Sequence, residues 1–191
     1  DPSGLKSPKL KSKQNSSRPT RLAASTSMNE ELDAKSEDQR MQKLRIQKYH
    51  FQYKQSDFDK KIKLSKQALS VGSDYLTEAV LSNISTHEPS PELYKPLIAE
   101  FNRTHSGPLT QQLFIELNKY SPFFAEASTM SQILYTKLNY GSPIANIWFL
   151  KNSLELLTPL HFEILDKINQ KIEAQHPLKK YLNGISQLAQ K

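Results

Sequence analysis

The sequence has 191 residues, no cysteine, 37% hydrophobic residues and a formal net charge of +7. This length suits one domain with an extension, and the missing cysteines exclude disulfides and thiolate-bound metal ions. No apolar run approaches the roughly 20 residues that cross a bilayer, and no secretory signal pattern is seen at the N-terminus. We therefore expect an intracellular chain without a membrane partner.

The positive charge is distributed unevenly along the chain. Residues 1–27 carry a net charge of +5, residues 28–39 of −4, residues 40–66 of +7 and residues 67–191 of −1. A nearly neutral body is thus preceded by a cationic extension, a pattern that favours contact between the extension and an acidic partner. This interpretation requires that carboxylates of the body do not neutralise the cations themselves.

Residues 1–28 form a basic segment rich in Ser, Lys and Pro. They hold too few large apolar side chains to offset the entropy of ordering, so we expect a disordered tail. Ser7, followed by Pro8, matches a proline-directed phosphorylation site, and residues 6–13 resemble a short nuclear-targeting patch. A phosphate on Ser7 would weaken contact with an acidic partner. Both patterns are also typical of a solvated linker.

Residues 29–55 are predicted to form one long charged helix. The segment contains many helix formers and neither Gly nor Pro, and its acidic start and basic end suit the helix dipole. Its apolar stripe, formed by Met41, Leu44 and Phe51, is thin and interrupted by Lys48. A helix this polar is expected to project from the domain as an arm or to pack on a partner.

Residues 56–191 are predicted to form a compact all-α domain, a bundle of roughly six to eight helices. Ser142-Pro143 and Thr158-Pro159 each place a capping hydroxyl before a proline, which marks a helix start. The segments that follow repeat apolar residues at three- and four-residue steps. Alternating strand patterns do not persist, and the β-favouring residue Val occurs only twice.

The sequence offers little support for catalysis or for a cofactor. No two of the five histidines lie three to five residues apart, so local metal-ligand spacing is absent. His161 falls on the apolar stripe of its helix and is expected to be a hydrogen-bonded core residue. There is neither a Gly-rich phosphate loop nor a nucleophile elbow. We expect a non-enzymatic protein without metal, cofactor or small-molecule substrate.

The basic segment 40–66 is the strongest functional signal. Our leading hypothesis is a protein–protein interaction or scaffold module, an adaptor within a larger intracellular complex, that docks an acidic protein surface. The alternative is an RNA- or DNA-binding protein that uses cations on phosphates and aromatic rings on bases. For either partner the candidate contact residues are Arg40, Lys43, Arg45, Lys48, Tyr49, Tyr53, Lys54, Lys60, Lys61 and Lys63.

Overall fold

The computed structural model describes residues 21–120 and 127–191, together with Gly4. Contacts divide the chain into two units, residues 1–41 and residues 42–191. The helices are α1 Arg21–Gln55, α2 Phe58–Ser70, α3 Asp74–Ile84, α4 Pro91–Arg103, α5 Gly107–Asn118, α6 Ala127–Tyr140, α7 Pro143–Asn152, α8 Pro159–Lys171 and α9 Lys179–Ala189. A short 3-10 turn spans Leu154–Leu156. No strand occurs in the described residues, and the predicted all-α helical bundle is confirmed.

The long N-terminal helix differs from its prediction in two ways. It begins at Arg21, so residues 21–28, which were expected in the tail, are helical; they contain neither Gly nor Pro. Its last turns, residues 42–55, belong to the larger unit, because Tyr49 and Tyr53 are part of that unit's apolar core. The rest of the predicted tail, apart from Gly4, lies outside the described residues, and its disorder stays a prediction.

The predicted helix starts at hydroxyl–proline pairs are confirmed. The Ser142 side chain accepts a hydrogen bond from the backbone N–H of Ala145, and the Thr158 side chain accepts one from that of His161. Ser90 is likewise the residue before α4, with Pro91 at the first helical position. In these helices the missing N–H of proline costs nothing, because that group has no partner within the helix.

The core of the larger unit is built around α4 and α5. Helix α5 packs on α3, α4 and α7, while α4 also packs on α2 and α6, and α8 packs on α6 and α9. The ring of Phe114 in α5 lies 5.1 Å from that of Phe149 in α7, in an edge-on contact, and Phe149 in turn meets Phe101 of α4. Such edge-on contacts add to the stability that the burial of these rings provides.

Gly107, at the start of α5, allows α7 to approach closely. A Cβ atom at this position would lie 2.5 Å from the Cβ of Trp148, an atom that cannot move without its backbone. Gly184, in the exposed part of α9, has no such neighbour: a Cβ there would meet nothing within 4 Å.

We expect opposite effects from alanine at these two glycines. Gly107→Ala should lower the free energy of unfolding by about 1–3 kcal/mol, because α5 and α7 must separate to admit the methyl group. Gly184→Ala should raise it by about 0.5–1 kcal/mol, because alanine is the better helix former. Urea unfolding of both variants beside the unmodified chain measures this, and equal stabilities for the two variants would contradict the close approach.

Candidate functional site

The cationic segment that was predicted to contact a partner lies mainly in the larger unit, at the end of α1 and in α2. Residues 42–66 contain eight Lys or Arg residues and two carboxylates, Asp57 and Asp59. Lys61 is half-buried, and the other cations are exposed. These exposed cations are Lys43, Arg45, Lys48, Lys54, Lys60, Lys63 and Lys66. Arg40 is also exposed and belongs to the smaller unit.

Within the described part of the chain, none of these cations forms an ion pair with a carboxylate. The ion pairs found there join Arg103 to Asp74 and Glu100, Lys119 to Glu116, and Lys167 to Glu163. Arg45 instead donates a hydrogen bond from Nη1 to the hydroxyl of Tyr75, 2.9 Å away, and Nζ of Lys61 lies 5.0 Å from the centre of the Tyr53 ring. Among the described residues, no carboxylate thus lies within ion-pair distance of these cations.

The two tyrosines among the predicted contact residues are not at the surface. Tyr49 and Tyr53 are each only 5% exposed, and the Tyr49 hydroxyl shares a 2.8 Å hydrogen bond with Oγ of Ser65 in α2. Burial raises the pKa of both phenols. The prediction that these two rings are available to bases or to a partner is therefore wrong in this conformation, because they fill the space between α1 and the helices that follow.

The sequence itself carries a signal for this burial. Ile46, Tyr49 and Tyr53 follow one another at three- and four-residue steps, and this is the stripe that α1 packs on the body. The stripe chosen instead is exposed, with Phe51 at 63% and Leu44 at 48%. Counting tyrosine as apolar would have identified the packed side of the helix, because a phenol buries its ring while its hydroxyl finds a partner.

An open groove of about 400 Å³ runs between the end of α1 and α2. Cationic and amide side chains of α1 form one wall, and the aliphatic side chains come from α2, from its cap residue Val71 and from Leu76 of α3. The described residues that line it are Arg45, Lys48, Tyr49, Gln52, Leu64, Gln67, Ala68, Val71 and Leu76, none of which is acidic. The groove therefore combines an aliphatic lining with positive charge at its edge.

A second groove, of about 440 Å³, lies between α3 and α5. Exposed Ile115 lines it together with Glu78, and its cation is Lys119. Nζ of Lys119 is 2.8 Å from a carboxylate oxygen of Glu116 and 2.6 Å from the carbonyl oxygen of Ser85. This groove has a cation that is already paired, which distinguishes it from the α1–α2 groove.

His161 has a structural role, as its position on the apolar stripe suggested. Its Nδ1 accepts a hydrogen bond from the backbone N–H of Thr158, and its Nε2 lies 3.2 Å from Oδ1 of Asn118. The two bonds are compatible with one neutral tautomer, which carries its proton on Nε2. The ring thus closes a capping box at the start of α8, a place usually taken by Glu or Gln, and burial lowers its pKa.

Lys137 of α6 is a fully buried titratable group, with 0% of its surface exposed. Its Nζ donates a hydrogen bond to the carbonyl oxygen of Thr104, 3.1 Å away, and lies 5.3 Å from the centre of the Phe101 ring. Burial, reinforced by the positive charge of Arg103, lowers the pKa of Lys137 to about 8. The ammonium group thus ties α6 to the end of α4 without a carboxylate in contact.

The remaining expectations concern a metal site, a membrane-spanning helix and the patterns in the N-terminal tail. Among the described residues, no group of three His, Cys, Asp or Glu side chains is placed to hold a metal ion. No helix in that part of the chain has both the length and the apolar character that crossing a membrane requires. Ser7 and the basic patch at residues 6–13 lie outside the described residues.

Comparison with known proteins gives no family. The chain matches no protein-family model, no curated protein and no solved structure.

Lys137 should give the stability of the protein a distinctive dependence on pH. Its pKa falls from 10.5 to about 8 on folding, so between these values the unfolded chain binds more protons and stability rises with pH. We expect the difference in unfolding free energy between the unmodified chain and Lys137→Met to change by about 2 kcal/mol between pH 8 and pH 10, in favour of the unmodified chain. Urea unfolding at several pH values measures this, and parallel curves would contradict it.

His161 should affect the stability of the protein at acidic pH. Its pKa in the folded protein is lowered from 6.5, so below pH 6.5 the unfolded chain binds more protons and stability decreases as the pH is lowered. His161→Gln keeps an acceptor for the Thr158 N–H and removes the titration. We expect this variant to lose less stability between pH 7 and pH 5 than the unmodified chain does. His105→Gln, at an exposed histidine, is the control, and an equal change in both variants would contradict the assignment.

Proposed function

We propose that this chain is a non-enzymatic α-helical protein–protein interaction module that binds an acidic protein surface through the cations of residues 42–66. The observation that carries the proposal is the absence of ion pairs to these cations within the described residues. Exposed cations steer an oppositely charged partner towards a surface and favour one orientation on it. The role that fits is a scaffold or adaptor within a larger intracellular complex.

An acidic protein is favoured over a nucleic acid by the side chains beside the cations. Single-stranded nucleic acid is held by aromatic rings as well as by charge, and two rings of this segment, Tyr49 and Tyr53, are buried, which leaves Phe51 and Phe58 exposed. The nearby groove is instead lined by the aliphatic side chains of Leu64, Ala68 and Val71, which suit apolar side chains of a protein. Nucleic-acid binding, in which the same cations contact phosphates, is the second candidate function, and the experiment must distinguish the two.

The proposed absence of catalysis is supported by the use the fold makes of its buried titratable groups. In the part of the chain that the structure describes, burial lowers the pKa values of His161 and Lys137. Each forms a hydrogen bond to another part of the fold, His161 to Asn118 of α5 and Lys137 to Thr104 at the end of α4. A general base or nucleophile must instead reach a substrate.

The experiment is co-purification of the native chain with its partner, with and without nuclease. We expect a bound protein that resists nuclease, leaves at high salt, and is reduced at least tenfold in the triple variant Lys43→Glu, Arg45→Glu, Lys48→Glu, because charge reversal at an interface replaces attraction by repulsion. Lys167→Glu, at an exposed lysine of α8, serves as a charge control outside the surface.

Two outcomes would overturn the proposal. Loss of the partner after nuclease, together with salt-dependent binding to random-sequence nucleic acid that weakens in the triple variant, would assign the cations to phosphates. Full retention of a protein partner by the triple variant would place the binding surface elsewhere. Circular dichroism and thermal unfolding of each variant establish that it is folded.

A further inference from the structure

The α1–α2 groove has the pattern of a surface that receives one side of a helix. Leu64 and Ala68 of α2 and Val71, the residue that caps its end, line the groove and follow one another at intervals of four and three residues, so they share one face of the helix. Val71 at its end is 54% exposed although it is apolar. This face supplies the groove with an aliphatic stripe.

The facing wall on α1 is cationic and is held in place. Arg45 and Lys48 lie one turn apart and both line the groove. The guanidinium of Arg45 donates to the hydroxyl of Tyr75 in α3, which restricts the movement of this side chain. Below them, Tyr49 fixes the distance between α1 and α2 through its hydrogen bond to Ser65. The cations are thus set beside the aliphatic stripe by contacts within the larger unit.

We propose that the α1–α2 groove is the docking site for an amphipathic acidic helix of a partner protein, whose apolar side chains enter the groove while its carboxylates pair with Arg45 and Lys48. This inference rests on the proposed function and names its partner chemistry. A volume of about 400 Å³ holds a few side chains rather than a whole helix, whose diameter is about 10–12 Å. The partner therefore lies on the groove and inserts residues spaced at i, i+3, i+4 and i+7.

Charge complementarity selects this occupant over the others. No described residue that lines the groove carries a negative charge to pair with Arg45 or Lys48, and a helix with carboxylates beside its apolar stripe supplies it. A nucleic acid would bring phosphates but no aliphatic groups for Leu64, Ala68 and Val71. A second copy of this chain would bring the acidic residues 30–38, with exposed Leu32 among them and exposed Met28 just before them. Both become outcomes of the test.

The test uses the full chain and a fluorescent synthetic peptide of about five helical turns, with leucines at i, i+3, i+4 and i+7 and glutamates on the remaining surface. A second peptide has the same composition with its leucines scattered around the helix. Fluorescence anisotropy should give a dissociation constant at least tenfold lower for the amphipathic peptide. Equal affinities would mean that binding depends on the charge of the peptide alone, and would overturn the proposal that the groove receives apolar side chains.

Two variants with the same change in charge locate the site. Arg45→Glu with Lys48→Glu reverses the groove wall and should weaken peptide binding at least tenfold. Lys43→Glu with Lys54→Glu makes the same change at exposed positions of α1 that do not line the groove, and should weaken it less than threefold. Val71→Gln leaves the charge unchanged and should weaken binding about threefold, because it removes apolar surface from the exposed end of the stripe.

The outcomes separate the groove from the proposed function on which it rests. Equal losses in the two double variants would overturn the groove, while a nuclease-resistant partner lost in the triple variant would leave the proposed function standing. A single-stranded oligonucleotide that displaces the labelled peptide at a lower concentration than the unlabelled peptide does would show that the groove binds phosphates. Sedimentation equilibrium showing a dimer that Arg45→Glu with Lys48→Glu dissociates would make the occupant a second copy. Either result would overturn the proposal.

Discussion

The contact on which the candidate binding surface depends is the burial of Tyr49 and Tyr53 at the end of α1. Their rings enter the core of residues 42–191, and the hydrogen bond between the hydroxyls of Tyr49 and Ser65 joins α1 to α2. A buried phenol without a partner would be costly, so Ser65, itself fully buried, is as necessary as the ring. Because this contact fixes two helices side by side, it also determines which cations line the groove and which do not.

Much of the fold could be predicted from the sequence because it is encoded locally. Hydroxyl–proline pairs at Ser142 and Thr158 mark helix starts through the geometry of one turn, and the apolar repeats that follow give the buried side of each helix. The place of His161 in the interior follows from the same repeat. Its bond to Asn118, however, joins residues 43 positions apart in the sequence, and no local pattern predicts such a partner.

The candidate site was predicted only in part, for a related reason. The charge of residues 40–66 is a property of composition, so the cations were identified directly. Their division into those that line a groove, such as Arg45, and those that do not, such as Lys43, depends on how α1 packs. That packing follows Tyr49 and Tyr53, whose rings were assigned to binding because they stand among cations. Proximity in sequence to charged residues says little about the side of a helix on which a residue lies.

The two kinds of cation in this protein show why an acidic helix is a better occupant than a purely apolar one. Burial removes water from the ammonium group of Lys137, which contacts one carbonyl and an aromatic ring instead, and this desolvation lowers its pKa to about 8. Arg103 is half-buried between Asp74 and Glu100, and its hydrogen bond to Glu100 raises its pKa. A partner that covers Arg45 and Lys48 removes water from them in the same way. Carboxylates at the edge of the partner would place Arg45 and Lys48 in surroundings like those of Arg103, whereas apolar residues there would place them in surroundings like those of Lys137. The proposed binding therefore requires both negative charge at the edge of the partner and apolar side chains within the groove.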